Sequence, residues 1–158
     1  VIRTVEGNIL DTTKDIICHQ VNCKGVMGAG LAKQIKSKYP NVYKDYKRLC
    51  DDEKIKNSKN GLLGATQFVD VSKSKTVANL FAQDNYGVKS RQTDYEAMEL
   101  CLKSLKHVVS DDYSKYKDCS IAIPHGIGCG LAGGDWRIVG RMIDDILGDC
   151  DVTLYKLK

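Results

Sequence analysis

Two glycine-rich stretches govern what this chain can fold into: residues 22–30, Asn22-Cys23-Lys24-Gly25-Val26-Met27-Gly28-Ala29-Gly30, and residues 126–134, Gly126-Ile127-Gly128-Cys129-Gly130-Leu131-Ala132-Gly133-Gly134. Each follows a short apolar run, residues 15–21 and 120–124, and precedes a helical pattern. A strand that passes through a glycine turn into a helix opens a β-α-β unit, whose return strand must run parallel to the first. Two such turns predict a parallel or mixed sheet with helices on both faces. In sheets of this kind ligands gather beyond the carboxyl ends of the strands, where both stretches are expected to lie.

The rest of the chain fits that alternation. Residues 2–9 read as a first strand. Leu31, Ile35 and Tyr39 recur at four-residue spacing, as on one face of a helix. Pro40 can begin a helix but not continue one, so residues 41–50 are expected as a separate helix with Val42, Tyr46, Leu49 and Cys50 as its stripe. Residues 51–61 are polar and end in Gly61, which predicts a loop. Residues 65–71 and 76–83 read as strands joined by a polar turn. Thr93 and Glu96 have the spacing of a capping box, ahead of a helix carrying Tyr95, Met98, Leu102, Leu105 and Val109. Val139, Met142, Ile143, Ile146 and Leu147 mark a last helix with Gly148 as its stop, and residues 152–157 form a closing strand. A length of 158 residues without repeats predicts a single domain, residues 1–158.

Composition excludes several classes. At 42% hydrophobic and 28% charged, the chain is expected to be soluble and globular. Its longest apolar runs fall far short of the roughly 20 residues that span a bilayer, so no membrane partner is expected. The first residues, Val1-Ile2-Arg3-Thr4-Val5-Glu6, lack the pattern of a signal peptide. Seven cysteines, an odd number with no C-x-x-C pair, predict reduced thiols in a cytoplasmic protein rather than a redox or zinc site. Neither a metal nor a cofactor is expected, and the chain is expected to be a monomer. Much of the net charge of +4 lies between Lys33 and Lys59, where Asp45, Asp51, Asp52 and Glu53 intervene. That mixture predicts a solvated helix surface, although a nucleic-acid-binding face would use the same lysines.

Glycines let backbone N–H groups approach an anion, and a following helix adds the positive end of its dipole. The first stretch is therefore suited to a diphosphate. It is not a Walker loop, because no Gly-Lys-Ser/Thr follows, and its glycines at 25, 28 and 30 do not match the dinucleotide fingerprint. Five glycines in residues 126–134 exceed the needs of one tight turn and predict backbone wrapped around a ligand.

These residues carry a family resemblance. Val5-Glu6-Gly7-Asn8-Ile9-Leu10, residues 22–30 with the helix behind them, and Gly126-Ile127-Gly128-Cys129-Gly130 followed by Asp135-Trp136 resemble the macrodomain, an ADP-ribose-binding fold, across essentially the whole chain. The resemblance implies a three-layer α/β/α architecture with a central mixed, largely parallel six-stranded sheet. It implies ligand contacts from Asn8, where many macrodomains have an adenine-binding aspartate, and from the adjoining Ile9. Asn22 matches the asparagine that holds the distal ribose. Gly28, Ala29 and Gly30 match the first diphosphate loop, and Gly126, Ile127, Gly128, Cys129 and Gly130 match the second. Gln83 is placed at the ligand by the same match; Lys24 is expected there as a positive charge that can neutralise phosphate, and Tyr155, on the last strand, beside the adenine end.

The branch most resembled contains small ADP-ribose 1″-phosphate phosphatases and terminal or DNA ADP-ribosyl glycohydrolases. Its glycohydrolases carry a lysine where Gln83 falls and an acid near Leu131 or Ala132, neither of which titrates. His19 matches a histidine of the phosphatases, and Asp135 could orient a water or polarise it. Hydrolysis of ADP-ribose 1″-phosphate by His19 and Asp135 is therefore the expected reaction. Removal of ADP-ribose from protein or nucleic acid, and ADP-ribose binding without turnover, are the alternatives.

Overall fold

The computed structural model describes residues 2–55 and 61–158. In chain order these form β1 (Ile2–Glu6), a 3-10 turn (Ile9–Asp11), β2 (Ile16–Gln20), α1 (Gly30–Lys38), α2 (Pro40–Ile55), β3 (Thr66–Ser72), β4 (Lys75–Leu80), α3 (Tyr95–Ser110), β5 (Ile121–Pro124), α4 (Trp136–Leu147) and β6 (Val152–Lys156). The six strands make one sheet in the order β1-β6-β5-β2-β4-β3. Only β3 against β4 is antiparallel, as a short hairpin allows.

Both faces of the sheet are covered, which is why β2, β4 and β5 are nearly continuous apolar runs. Period-two alternation sends Ile16, Cys18, Ala78, Leu80, Ile121 and Ile123 to the face on which α3 and α4 pack. Ile17, Val77 and Ala122 go to the opposite face, with Ile35 of α1 and Val42 and Tyr46 of α2. The result is three layers, helix, sheet and helix. Met98, Leu102 and Leu105 of α3 are fully buried, each contributing roughly 2 kcal/mol by removal from water.

The connections position the site. β2 leads through α1 and α2 to the β3 edge, whereas its neighbour β5 leads through α4 to β6 on the other side. Chains leaving adjacent strands in opposite directions open a crevice at their carboxyl ends. Both glycine stretches emerge there.

Several local expectations are corrected. β1 stops at Glu6, because the Asn8 side chain accepts from the Leu10 amide (3.0 Å) and starts the 3-10 turn. α2 runs on to Ile55 through residues expected as loop. Its polar stretch is a solvated helix face, tied by the Lys47–Asp51 pair one turn apart (2.7 Å). Residues 56–60 of that expected loop lie outside the described residues. The cap of α3 is Asp94, which accepts from the Ala97 amide (2.9 Å), not Thr93. Gly148 does end α4, as expected, with right-handed geometry (φ −57°).

Candidate functional site

A cavity of about 680 Å³ occupies the crevice. Its walls come from the ends of β2 and β5, from both glycine stretches, from the first turn of α1 and from the β4–α3 connection. Among the described residues, the walls contain no Asp, Glu, Lys, Arg or Cys; His19, His125 and Tyr86 are the ionisable groups present. A volume of this size suits a nucleotide-scale ligand. An anion here would be met by backbone amides rather than by charged side chains.

α1 shows how. The residue before it, Ala29, offers no side-chain cap, and its first turn carries no acid. By contrast, α3 and α4 are capped by Asp94 and Asp135. Gly28, Ala29, Gly30, Leu31 and Ala32 line the cavity, so the unsatisfied amides and positive dipole end of α1 border it. The loop leading there is held by Asn22. Its amide oxygen accepts from the Lys24 backbone (3.0 Å) and the Tyr46 hydroxyl (2.7 Å), and its amide nitrogen donates to the Val26 carbonyl (2.8 Å). These bonds leave one N–H of the Asn22 amide group unused.

The second stretch approaches from β5, with Gly126, Ile127, Gly128 and Gly130 in the wall. Gly128 has φ +74°, and a Cβ there would lie 2.6 Å from Gln20 Oε1. Glycine is required on both counts. The contact belongs to a network that joins three loops. Gln20 donates to Gln83 Oε1 (2.7 Å) and the Thr93 hydroxyl (2.9 Å), and Thr93 donates to the Gly128 carbonyl (2.6 Å). Gln83 donates in turn to the Asn85 carbonyl (2.7 Å). Thr93 is thus spent on the glycine loop, which is why it does not cap α3.

His19 forms part of the wall near the end of β2 and is almost wholly buried. Burial pushes its pKa down to about 4, against an opposing effect of its hydrogen bond with Asn79 Oδ1 (2.5 Å). Above about pH 5 its imidazole is therefore neutral.

Other expected site residues stand elsewhere. Asp135 accepts from the Arg137 amide (2.9 Å) and pairs with its guanidinium (2.8 Å), which holds the carboxyl below its usual range. Asp135 starts α4 and is not among the residues lining the cavity. Lys24 is exposed and paired with Asp84 (3.3 Å) rather than turned to the cavity. Cys129 donates its thiol to the Ile127 carbonyl (3.3 Å) and is not in the wall. Asn8, Ile9 and Tyr155 lie at the ends of β1 and β6, beyond β5, and the structure does not bring them into the cavity. Ile9 is core, and the Tyr155 hydroxyl is 2.6 Å from that of Thr12. Conversely, Gln20 and the Tyr86-Gly87-Val88 rim were missed. A Tyr-Gly pair just past a strand end was the available signal. No disulfide joins the cysteines and no metal-ligating cluster occurs among the described residues; Cys18, Cys50 and Cys101 are buried.

The Macro domain family model matches residues 18–143. The chain belongs to the macro domain family. As a macro domain it is 28% identical over 176 residues to the ADP-ribose 1″-phosphate phosphatase of Saccharomyces cerevisiae, covering 99% of this chain and 98% of that protein. It is 26% identical to the DNA ADP-ribosyl transferase-DNA ADP-ribosyl glycohydrolase fusion protein of Thermosipho africanus, covering 90% of this chain but only 38% of that one. The macrodomain of Mycobacterium tuberculosis DarG has the same fold, with a TM-score of 0.79 at 24% identity, 98% of this chain and 97% of that chain being aligned. No helix among the described residues is long and apolar enough to cross a membrane.

Proposed function

We propose that this macro domain binds ADP-ribose derivatives in the cavity and hydrolyses ADP-ribose 1″-phosphate to ADP-ribose and phosphate. The observation that carries the proposal is the wall itself: two glycine loops and an uncapped helix start around a neutral, buried histidine, with no ammonium or carboxylate among the lining side chains. The likeness to the Saccharomyces cerevisiae phosphatase over nearly both whole chains supports the same reading.

The diphosphate is held by amides of the α1 start and the second loop, where preorganised N–H groups substitute for lysine or arginine. His19 takes a proton from the attacking water as the water oxygen bonds to phosphorus. The bond from phosphorus to the anomeric oxygen breaks, loop amides stabilise the charge spread over the phosphoryl oxygens, and the proton passes to the departing oxygen. Lys24 and Asp135 have no part in these steps.

Glycohydrolysis by a lysine and an acid is disfavoured because Gln83, Leu131 and Ala132 all line the cavity without an ionisable group. Incubation with ADP-ribose 1″-phosphate, ADP-ribosylated protein and ADP-ribosylated DNA in separate reactions tests the proposal. Phosphate is expected from the first, at a rate falling roughly 10²–10⁴-fold in His19→Gln. Free ADP-ribose from either macromolecule, with no phosphate from the first, refutes it. Binding without turnover in any arm would make the protein a reader.

A further inference from the structure

Across β2, β4 and β3, the sheet face that receives α1 and α2 carries a polar row between apolar ones. Ile17, Val77 and Val69 stand opposite one another across β2, β4 and β3, all buried. Two residues further along β2 and β4, the row becomes His19, Asn79 and Gln67. Beyond it, Val21 and Phe81 are buried and apolar again. A polar row set into a packed apolar face costs stability unless every member is satisfied, so its presence calls for a use.

The hydrogen bonds along the row have a direction. Asn79 is fully buried, and its amide nitrogen donates to Gln67 Oε1 (3.0 Å). That bond turns the amide oxygen of Asn79 toward His19, 2.5 Å from Nε2. An amide oxygen only accepts, so the neutral imidazole must carry its hydrogen on Nε2. Nδ1 is left with a bare lone pair, buried and without a hydrogen-bond partner among the described residues. A bare imidazole nitrogen can accept a proton, and the residue that carries it borders the cavity.

We infer that Asn79, oriented by Gln67, is a positioning residue that locks His19 in the tautomer whose Nδ1 accepts the proton during hydrolysis. The catalytic part rests on the proposed function; the tautomer does not. Burial lowers the pKa of the His19 ring, and the bond to Asn79 opposes that effect.

The chain has three histidines, which makes imidazole nitrogen resonances resolvable in the 158-residue chain labelled at histidine. The His19 signals are assigned by their loss in His19→Gln. At neutral pH, His19 is expected to show a protonated Nε2 and an unprotonated Nδ1. In Asn79→Leu the two tautomers should mix, and kcat on ADP-ribose 1″-phosphate should fall roughly tenfold or more with KM little changed. Asn79→Asp keeps an acceptor at the same place. It should retain the Nε2–H tautomer and recover most of kcat, with its acid limb moved to higher pH because a carboxylate favours the imidazolium. A proton on Nδ1 in the wild-type protein overturns the inference, as does an unchanged kcat in folded Asn79→Leu. Should Asn79→Leu fail to fold, the wild-type nitrogen shifts and the Asn79→Asp profile decide it. If the wild-type protein releases no phosphate, the functional proposal fails while the nitrogen shifts still test the tautomer.

Discussion

His19 makes a quantitative demand on stability. An ordinary histidine titrates near 6.5, whereas burial holds this one at about 4 in the folded chain. Between those values the unfolded chain binds a proton that the folded chain refuses, so stability must rise with pH across the window. The difference corresponds to roughly 3 kcal/mol, fully present above about pH 6.5 and lost as pH falls toward about 4. Between about pH 7.5 and pH 5 the loss is about 2 kcal/mol, a large fraction of the stability of an ordinary domain. Urea unfolding at both pH values, in the wild-type chain and in His19→Gln, isolates the effect. Glutamine can still donate to Asn79 but does not titrate, and all other groups cancel in the comparison. The wild-type chain should lose about 2 kcal/mol more than the variant. Parallel losses would mean that His19 is not held neutral by burial, and its role as proton acceptor would fall with that.

Gly128→Ala combines left-handed backbone with a Cβ 2.6 Å from Gln20 Oε1. It should cost about 2–4 kcal/mol in chemical denaturation and abolish ligand-induced thermal stabilisation. Asp135→Ala should lower the melting temperature through a lost cap worth about 1 kcal/mol, leaving kcat within about twofold, and Asp135→Ser should restore stability. Lys24→Ala removes an exposed pair and should change stability by less than about 1 kcal/mol, with the KM for ADP-ribose 1″-phosphate little altered. A large rise in that KM would put Lys24 at the ligand.

The architecture was legible because its signals are local. A strand, a glycine turn and a helix follow one another twice, and the periodicities of α3 and α4 name their buried faces directly. The cavity's backbone was legible for the same reason. What sequence could not assign were side chains whose partners are set by strand register. Thr93 had capping-box spacing, yet a carbonyl 35 residues away takes its hydroxyl. Asp135 and Lys24 had suitable chemistry at suitable positions, but Arg137, two residues on, and Asp84, 60 residues away, pair with them. His19 was visible as a candidate, whereas its protonation state depends on Asn79, 60 residues away in the adjacent strand. Helix length failed at α2 for a different reason: a charged helix face and a polar loop have the same composition.

Amide nitrogen–proton correlation spectra recorded while ADP-ribose is added test the central claim most directly. The account predicts saturable shifts at Gly30, Leu31 and Ala32 of the α1 start and at Gly126, Gly128 and Gly130 of the second loop, with AMP alone producing far weaker ones. An unchanged spectrum, or shifts confined to surfaces away from both glycine loops, would contradict it.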